Sequence, residues 1–331
     1  MSHPSPHTAH HDAHHVHDRE HDHGHGSEHK HGHGPDNGHG PDHGHGPDHG
    51  HRSDHGHDTE DQAEILDLDA EVLAGHTASI TAWLPVGTGP RHIVDLGCGT
   101  GAGTLALLER FPEAELTAVD SSPAHLHRLR EKAAAAGAAD RVRLVEADLD
   151  ATAWPDLGTP ELVWASASMH HMADPDRTLR QVHELLAPGG LFAVVELAGF
   201  PRFLPEGAPE EAPGLEERCH AALDHHHAEQ VPHRGADWGP KLRGAGFTVE
   251  GERTVTVDIG PPHTDAVGRY ALSSLRRIRG GVVSALTPQD LTALDQLLDA
   301  DGPHSILRRT DLNVRTERMV WAARRGPLAG A

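Results

Sequence analysis

The residues best placed to do chemistry stand in RHIVDLGCGTGAGTLALLERF, where Asp95 precedes Gly97, Gly99 and Gly101. An apolar run ends in the three glycines and a helical pattern follows at once. The backbone must therefore turn sharply and leave N–H groups open to a ligand, with no Cβ atoms in the way. This suits a nucleotide-like molecule without choosing among such molecules, because Gly97-x-Gly99-x-x-Ala102 also satisfies the Ala-terminated dinucleotide fingerprint. Asp95 narrows the choice. A carboxylate just before the first glycine repels a pyrophosphate but accepts hydrogen bonds from an ammonium group, and a dinucleotide has none to offer. Two further acids end the next two apolar runs. Asp120, in TAVDSS, lies roughly 20 residues on and can hold ribose hydroxyls, a role that dinucleotide enzymes share. Asp148, in VEADLDATAW, is placed to meet an exocyclic adenine amine, with Leu149 against the ring.

Such residues need strand ends to hold them, and the chain supplies an alternation of apolar runs and helical patterns. The runs are His92 to Leu96, Glu115 to Val119, Arg143 to Val145, Leu162 to Ala165, Leu191 to Leu197 and Phe247 to Val257, with a seventh from Arg315 to Ala323. Amphipathic stretches such as SPAHLHRLREKAAAAG and DPDRTLRQVHELLAPGG lie between them. Alternation at this spacing predicts parallel pairing through right-handed crossovers, hence an α/β, doubly wound, Rossmann-like sheet with helices on both faces. Upstream, AEILDLDAEVLAGHTASITAWL has apolar residues at helical spacing and predicts one long helix ending before Pro85. In ALTPQDLTALDQLL, Thr287 with Asp290 resembles a capping box opened by Pro288.

VDLGCGTGAG, AVDSSP, EADLD, ASASMHHM and LLAPGGLFAVVE together resemble successive motifs of the class I S-adenosylmethionine-dependent methyltransferases. The likeness is to the branch that includes ubiquinone and menaquinone C-methyltransferases and many small-molecule O-, N- and C-methyltransferases. It implies a seven-stranded sheet with its last strand antiparallel and S-adenosyl-L-methionine as cofactor. By residue it gives Asp95, Gly97, Gly99 and Gly101 to the methionine end, Asp120 and Ser121 to the ribose, Asp148 and Leu149 to the adenine, and Ser166 to the pocket floor below the sulfonium. The methionine ammonium is the cation that Asp95 calls for. Segments 201–240 and 261–311 would form the lid over the acceptor, with 91–200 as the cofactor core.

Methyl transfer from a sulfonium is a direct displacement, so alignment and a dry pocket matter most. A general base helps where the acceptor is a hydroxyl or an activated carbon, and His170 and His171 in the loop after the fourth run are the candidates. His220, His225, Trp238, Tyr270, Arg308 and Arg309 are candidate acceptor contacts. The HHH run at 225–227 is a poor metal site, since consecutive helical residues diverge by about 100°. Each acid also has a structural reading: Asp95 as a loop cap, Asp120 as an Asx-turn residue before Pro123, Asp148 as part of a polar loop with Asp150. Cys98 among the glycines serves as a small side chain.

The 331 residues carry a formal net charge of -22, spread along the chain, which makes nucleic acid and anionic membrane poor partners. A small-molecule acceptor is the expected partner. Two cysteines, no apolar leader and no long apolar run suggest a cytoplasmic protein. Residues 1–60 form a separate histidine-rich tail, expected to be disordered, and 61–331 the single domain. From His33 a six-residue repeat sets His33, His39, His45 and His51 in register, and 20 of the 34 histidines lie before residue 58. Interleaved with aspartates, they could wrap nickel, zinc, copper or cobalt ions. Two other function classes therefore stand beside the transferase: a metal-storage or metallochaperone protein with the domain as carrier, and an NAD-dependent oxidoreductase.

Overall fold

The computed structural model describes residues 54–87, 89–227 and 231–327, all in one compact unit; for 54–59 and 226–227 it describes the backbone alone. The expected tail, including His33, His39, His45 and His51, lies outside the described residues up to residue 53. In chain order the helices are α1 (Asp54–Val72), α2 (Ala74–Trp83), α3 (Ala102–Arg110), α4 (Pro123–Ala135), α5 (Pro175–Leu185), α6 (Leu215–His227), α7 (Trp238–Gly244), α8 (Asp265–Val282) and α9 (Pro288–Leu298). The strands are β1 (His92–Leu96), β2 (Glu115–Asp120), β3 (Val142–Glu146), β4 (Leu162–Ser166), β5 (Leu191–Leu197), β6 (Phe247–Ile259) and β7 (Val314–Arg325).

The seven strands pair in the order β3-β2-β1-β4-β5-β7-β6. All pairs among β1 to β5 are parallel, and β7 runs antiparallel to both β5 and β6. This is the expected sheet, with the last strand reversed. Ile93, Val94 and Leu96 of β1 are fully buried, as a central strand covered on both faces requires. One face carries the core built with α2, α3 and α4 (Ile80, Leu107, Leu126), and the other the core built with α5 and α7 (Leu179, Trp238). A third core, with Leu68, Leu223, Tyr270 and Leu294, unites α1, α6, α8 and α9.

Local sequence sets the helix starts. Ser122, Asp174 and Thr287 accept hydrogen bonds from the backbone N–H groups of His125, Arg177 and Asp290, each with proline next in sequence. At α9 the capping box is altered: the Thr287 hydroxyl donates to Asp290 at 2.9 Å, and Asp290 also receives Arg218.

Two expectations need correction. Helix α1 begins at Asp54, so residues 54–60 are helical rather than part of the tail. The single long helix is two, broken at Leu73. The apolar stripe before the break packs into the helical core through Leu68 and Leu73. The stripe after it packs onto the sheet through Ile80 and Leu84, and one straight helix cannot serve both.

Candidate functional site

The strand order reverses between β1 and β4, and crevices for ligands in open α/β sheets form outside the strand ends at such a point. A cleft of about 510 Å³ lies there, walled by residues that follow β1, β2, β3 and β4 and by the inner side of α1. Its size falls in the range of about 300–1,000 Å³ typical of small-molecule sites.

The floor is the loop after β1. Gly97, Gly99 and Gly101 have φ of +69°, +52° and +93°, a region that side chains disfavour. Gly97 and Cys98 donate their N–H groups to Val119 O at 2.8 and 3.0 Å, which ties the loop to the end of β2. At Gly97 a Cβ would stand 2.5 Å from that of Ser168, whose hydroxyl donates to Leu96 O at 2.8 Å. The loops after β1 and β4 therefore touch where glycine alone fits. Gly101 is different in kind: it is buried against Leu129 of α4 and does not line the cleft. Its role is to let α3 start.

Three carboxylates stand at three strand ends. Asp95 is fully buried and accepts the Thr104 hydroxyl at 2.6 Å. Burial pushes its carboxyl up to about 7, opposed by Thr104 and reinforced by Asp120. Asp120 accepts the N–H groups of Gly99 and Ser122, each at 2.8 Å, and its Oδ1 lies 3.3 Å from His125 Nδ1. Burial works to raise this carboxyl, but the bonds from His125, Ser122 and Gly99 outweigh it and hold the group below the usual carboxylate range. Asp148 is exposed at the rim and accepts the Asp150 N–H at 2.8 Å, with buried Leu149 beside it. Ser121 and Ser166 complete the lining expected from the sequence.

The two histidines of the loop after β4 separate. His171 lines the cleft, whereas His170 points into the protein and does not. Glu196, near the end of β5, accepts the His170 backbone N–H at 3.2 Å and meets its Nδ1 at 2.5 Å. The two imidazoles lie 4.1 Å apart, tilted by 42°. Burial, then the nearby His170, Arg234 and Arg277, lower His171 to about 4, so its ring is neutral at neutral pH.

None of the six candidate acceptor contacts lines this cleft. Trp238 is buried in the core beneath α7, and Tyr270 in the helical core. His220 lines a separate hollow with Arg202 and Asp224, and Arg308 and Arg309 another with His304. His225 is exposed. Among the described residues no group of three or more His, Cys, Asp or Glu could hold a metal, and no helix is long and apolar enough to cross a membrane. Cys98 is buried and free, and burial raises its thiol far above the ordinary range, which leaves it no nucleophile.

Several cleft residues had no sequence signal. Gln62, Leu66 and Asp69 of α1 line it. Their spacing marks a helix face, but nothing in the sequence says that this face covers the glycine loop. His125 was legible as helix and not as the partner of Asp120. Ala167 has φ +52° between two serines of the lining, the only non-glycine with positive φ among the described residues.

Residues 94–192 match the methyltransferase domain family. Among curated proteins, the chain is 40% identical over 105 residues to a trans-aconitate 2-methyltransferase of Acidovorax sp. strain JS42, covering 32% of this chain and 38% of that one. It is 36% identical over 167 residues to a malonyl-[acyl-carrier protein] O-methyltransferase of Halorhodospira halophila, covering 50% and 54%. It is 38% identical over 113 residues to a demethylmenaquinone methyltransferase of Thermus thermophilus, covering 34% and 50%. The chain thus spans between 38 and 54% of the length of these relatives.

Proposed function

We propose that this chain, whose residues 94–192 match the methyltransferase domain family, is a class I S-adenosylmethionine-dependent methyltransferase whose cleft binds S-adenosylmethionine and passes a methyl group to a small-molecule O, N or C acceptor. The observation that carries this reading is the set of three carboxylates, Asp95, Asp120 and Asp148, at the ends of β1, β2 and β3 around a positive-φ glycine loop. A buried acid with a single hydroxyl donor, as Asp95 is, fits an ammonium partner and does not fit a phosphate. Asp120, Ser121 and Asp148 offer acceptors to hydroxyls and an amine, and Leu149 an apolar surface.

When bound, the cofactor supplies an electrophilic methyl group on a sulfonium. The chain's own residues then hold and align. Gly97 and Gly99 leave room for a close approach, while Ser166 and the strained Ala167 shape the wall between the two ligands. His171, neutral and facing the cleft, can take a proton from an acceptor hydroxyl or carbon acid as the new bond forms. His170, bound to Glu196, braces it from behind. The two cysteines, both free, accord with a cytoplasmic setting.

The test is calorimetric titration of the full chain in metal-free buffer with S-adenosylmethionine, S-adenosylhomocysteine and NADH, with Asp120→Ala as control. Micromolar binding of the first two, lost in the control, supports the reading. Binding of NADH alone would overturn it in favour of the oxidoreductase.

The histidine-rich segment before α1 supports a second role, labile binding of nickel, zinc, copper or cobalt, because its 18 histidines are interleaved with aspartates on a Gly- and Pro-rich chain. Removal of residues 1–53 should abolish metal uptake in equilibrium dialysis and spare methyl transfer. If uptake persists, the folded domain holds the metal.

A further inference from the structure

The cofactor carboxylates stand on the β1–β3 half of the sheet. Two other cleft residues, His171 and Asp69, are instead held from the β5–β7 half. In the antiparallel register Glu196 faces Met319 and Leu197 faces Arg318. Successive side chains of a strand point to opposite faces, so Glu196 and Arg318 leave the sheet on opposite sides. Glu196 takes His170, whose neighbour His171 reaches the cleft. Arg318, buried, donates to Asp69 Oδ1 at 2.8 Å and to the Thr316 hydroxyl at 3.1 Å. The Tyr270 hydroxyl donates to the same Asp69 Oδ1 at 2.5 Å. Asp69 is thus a helix residue aimed by one strand and one other helix.

We propose that the acceptor lies between His171 and Asp69, and that Asp69 reads a hydroxyl or amine donor on it. The proposal rests on the methyltransferase reading of the cleft. Both of the donors that fix Asp69 use Oδ1, so the second carboxylate oxygen remains for a ligand, and the side chain is about one-third exposed at the cleft wall. A carboxylate accepts and does not donate, so the matching group must carry N–H or O–H. No Lys or Arg lines the cleft among the described residues, so its wall offers no direct ion-pair partner to an acceptor carboxylate. Tyr270 and Arg318 are positioning residues: they touch Asp69 and not the cleft. Tyr270, which its residue type alone marks as an acceptor contact, therefore acts one step removed.

The acceptor class can be tested before the acceptor is known. The full chain is incubated with methyl-labelled S-adenosylmethionine and the small-molecule fraction of a bacterial extract. One portion is acetylated beforehand to block hydroxyls and amines, and another amidated to block carboxylates. Labelled product should vanish after acetylation and persist after amidation. With the partly purified acceptor, Asp69→Asn and Tyr270→Phe should raise KM about tenfold or more, with a smaller change in kcat. Calorimetric affinity for S-adenosylhomocysteine should stay within about twofold, since no bond to the cofactor is removed. Three results overturn the proposal: product lost on amidation alone; no product from any portion while S-adenosylhomocysteine binds; or cofactor affinity falling with KM unchanged, which makes Asp69 a cofactor contact. Failure of the wild-type chain to bind S-adenosylhomocysteine defeats the methyltransferase reading itself.

Discussion

Asp120 accepts the Gly99 N–H at 2.8 Å, so the acid at the end of β2 fixes the glycine loop at the end of β1. The residue assigned to the ribose thus also shapes the floor under the methionine end. Asp120→Ala should weaken S-adenosylhomocysteine binding by about 10- to 100-fold, the worth of one charged hydrogen-bond partner, and Asp120→Asn by less. Isothermal calorimetry reads both; equal losses in the two variants would show that charge alone matters.

Asp95 makes stability depend on pH. Its carboxyl is raised to about 7 in the folded chain against 3.8 unfolded, so the folded state holds the extra proton between these values. Its contribution is fully present below about pH 4 and is lost as pH rises through 7, on the order of 4 kcal/mol. Asp95→Asn, which still accepts the Thr104 hydroxyl, should flatten the fall in denaturation midpoint between pH 4 and 7. A ligand cation reverses the shift. At pH 6.5 cofactor binding should release a proton in the wild type and none in Asp95→Asn, as calorimetry in buffers of different ionisation enthalpy would show.

His171→Ala should lower kcat about 10²- to 10⁴-fold if the ring removes the acceptor proton, with S-adenosylhomocysteine affinity unchanged. With the ring lowered to about 4, the acid limb of the rate profile should fall near pH 4 rather than near 6.5. A loss of rate already centred on 6.5 would assign the base elsewhere.

Gly101→Ala probes the loop as architecture. The added Cβ would collide with Leu129, at φ +93°. About 2–4 kcal/mol of stability should be lost, seen as a lower thermal midpoint, while cofactor affinity at low temperature persists. In Gly97→Ala the clash falls on Ser168 within the cleft, so affinity and stability should fall together.

The β1–β5 half was readable from sequence because its signals are local: apolar runs of three to seven residues, glycines at the turns, and Ser122 and Asp174 before proline at the helix starts. The acids Asp95, Asp120 and Asp148 follow from position alone, since a strand end carries its next residues to the sheet edge. What escaped depends on tertiary packing. The split at Leu73 reflects two cores that draw one apolar pattern in two directions. Asp69 and His125 look like polar residues on helices until their partners, 249 and 5 residues away, come into view. His170 and His171 are adjacent and chemically identical, and Glu196 on β5 decides which of them turns inward.

The three separate cores make the molecule modular. Side chains of α6, α8 and α9 pack with α1 in a cluster distinct from the two that sandwich the sheet. Changes at sites without shared neighbours act nearly independently. Substitutions in the helical layer should therefore leave the half that carries the glycine loop intact. The bridges to preserve would be those that α1 throws to either side, Asp67 to Arg128 and Lys132, and Asp69 to Tyr270 and Arg318. An engineer altering the helical layer would keep α1 as the shared hinge-post and exchange what lies beyond it.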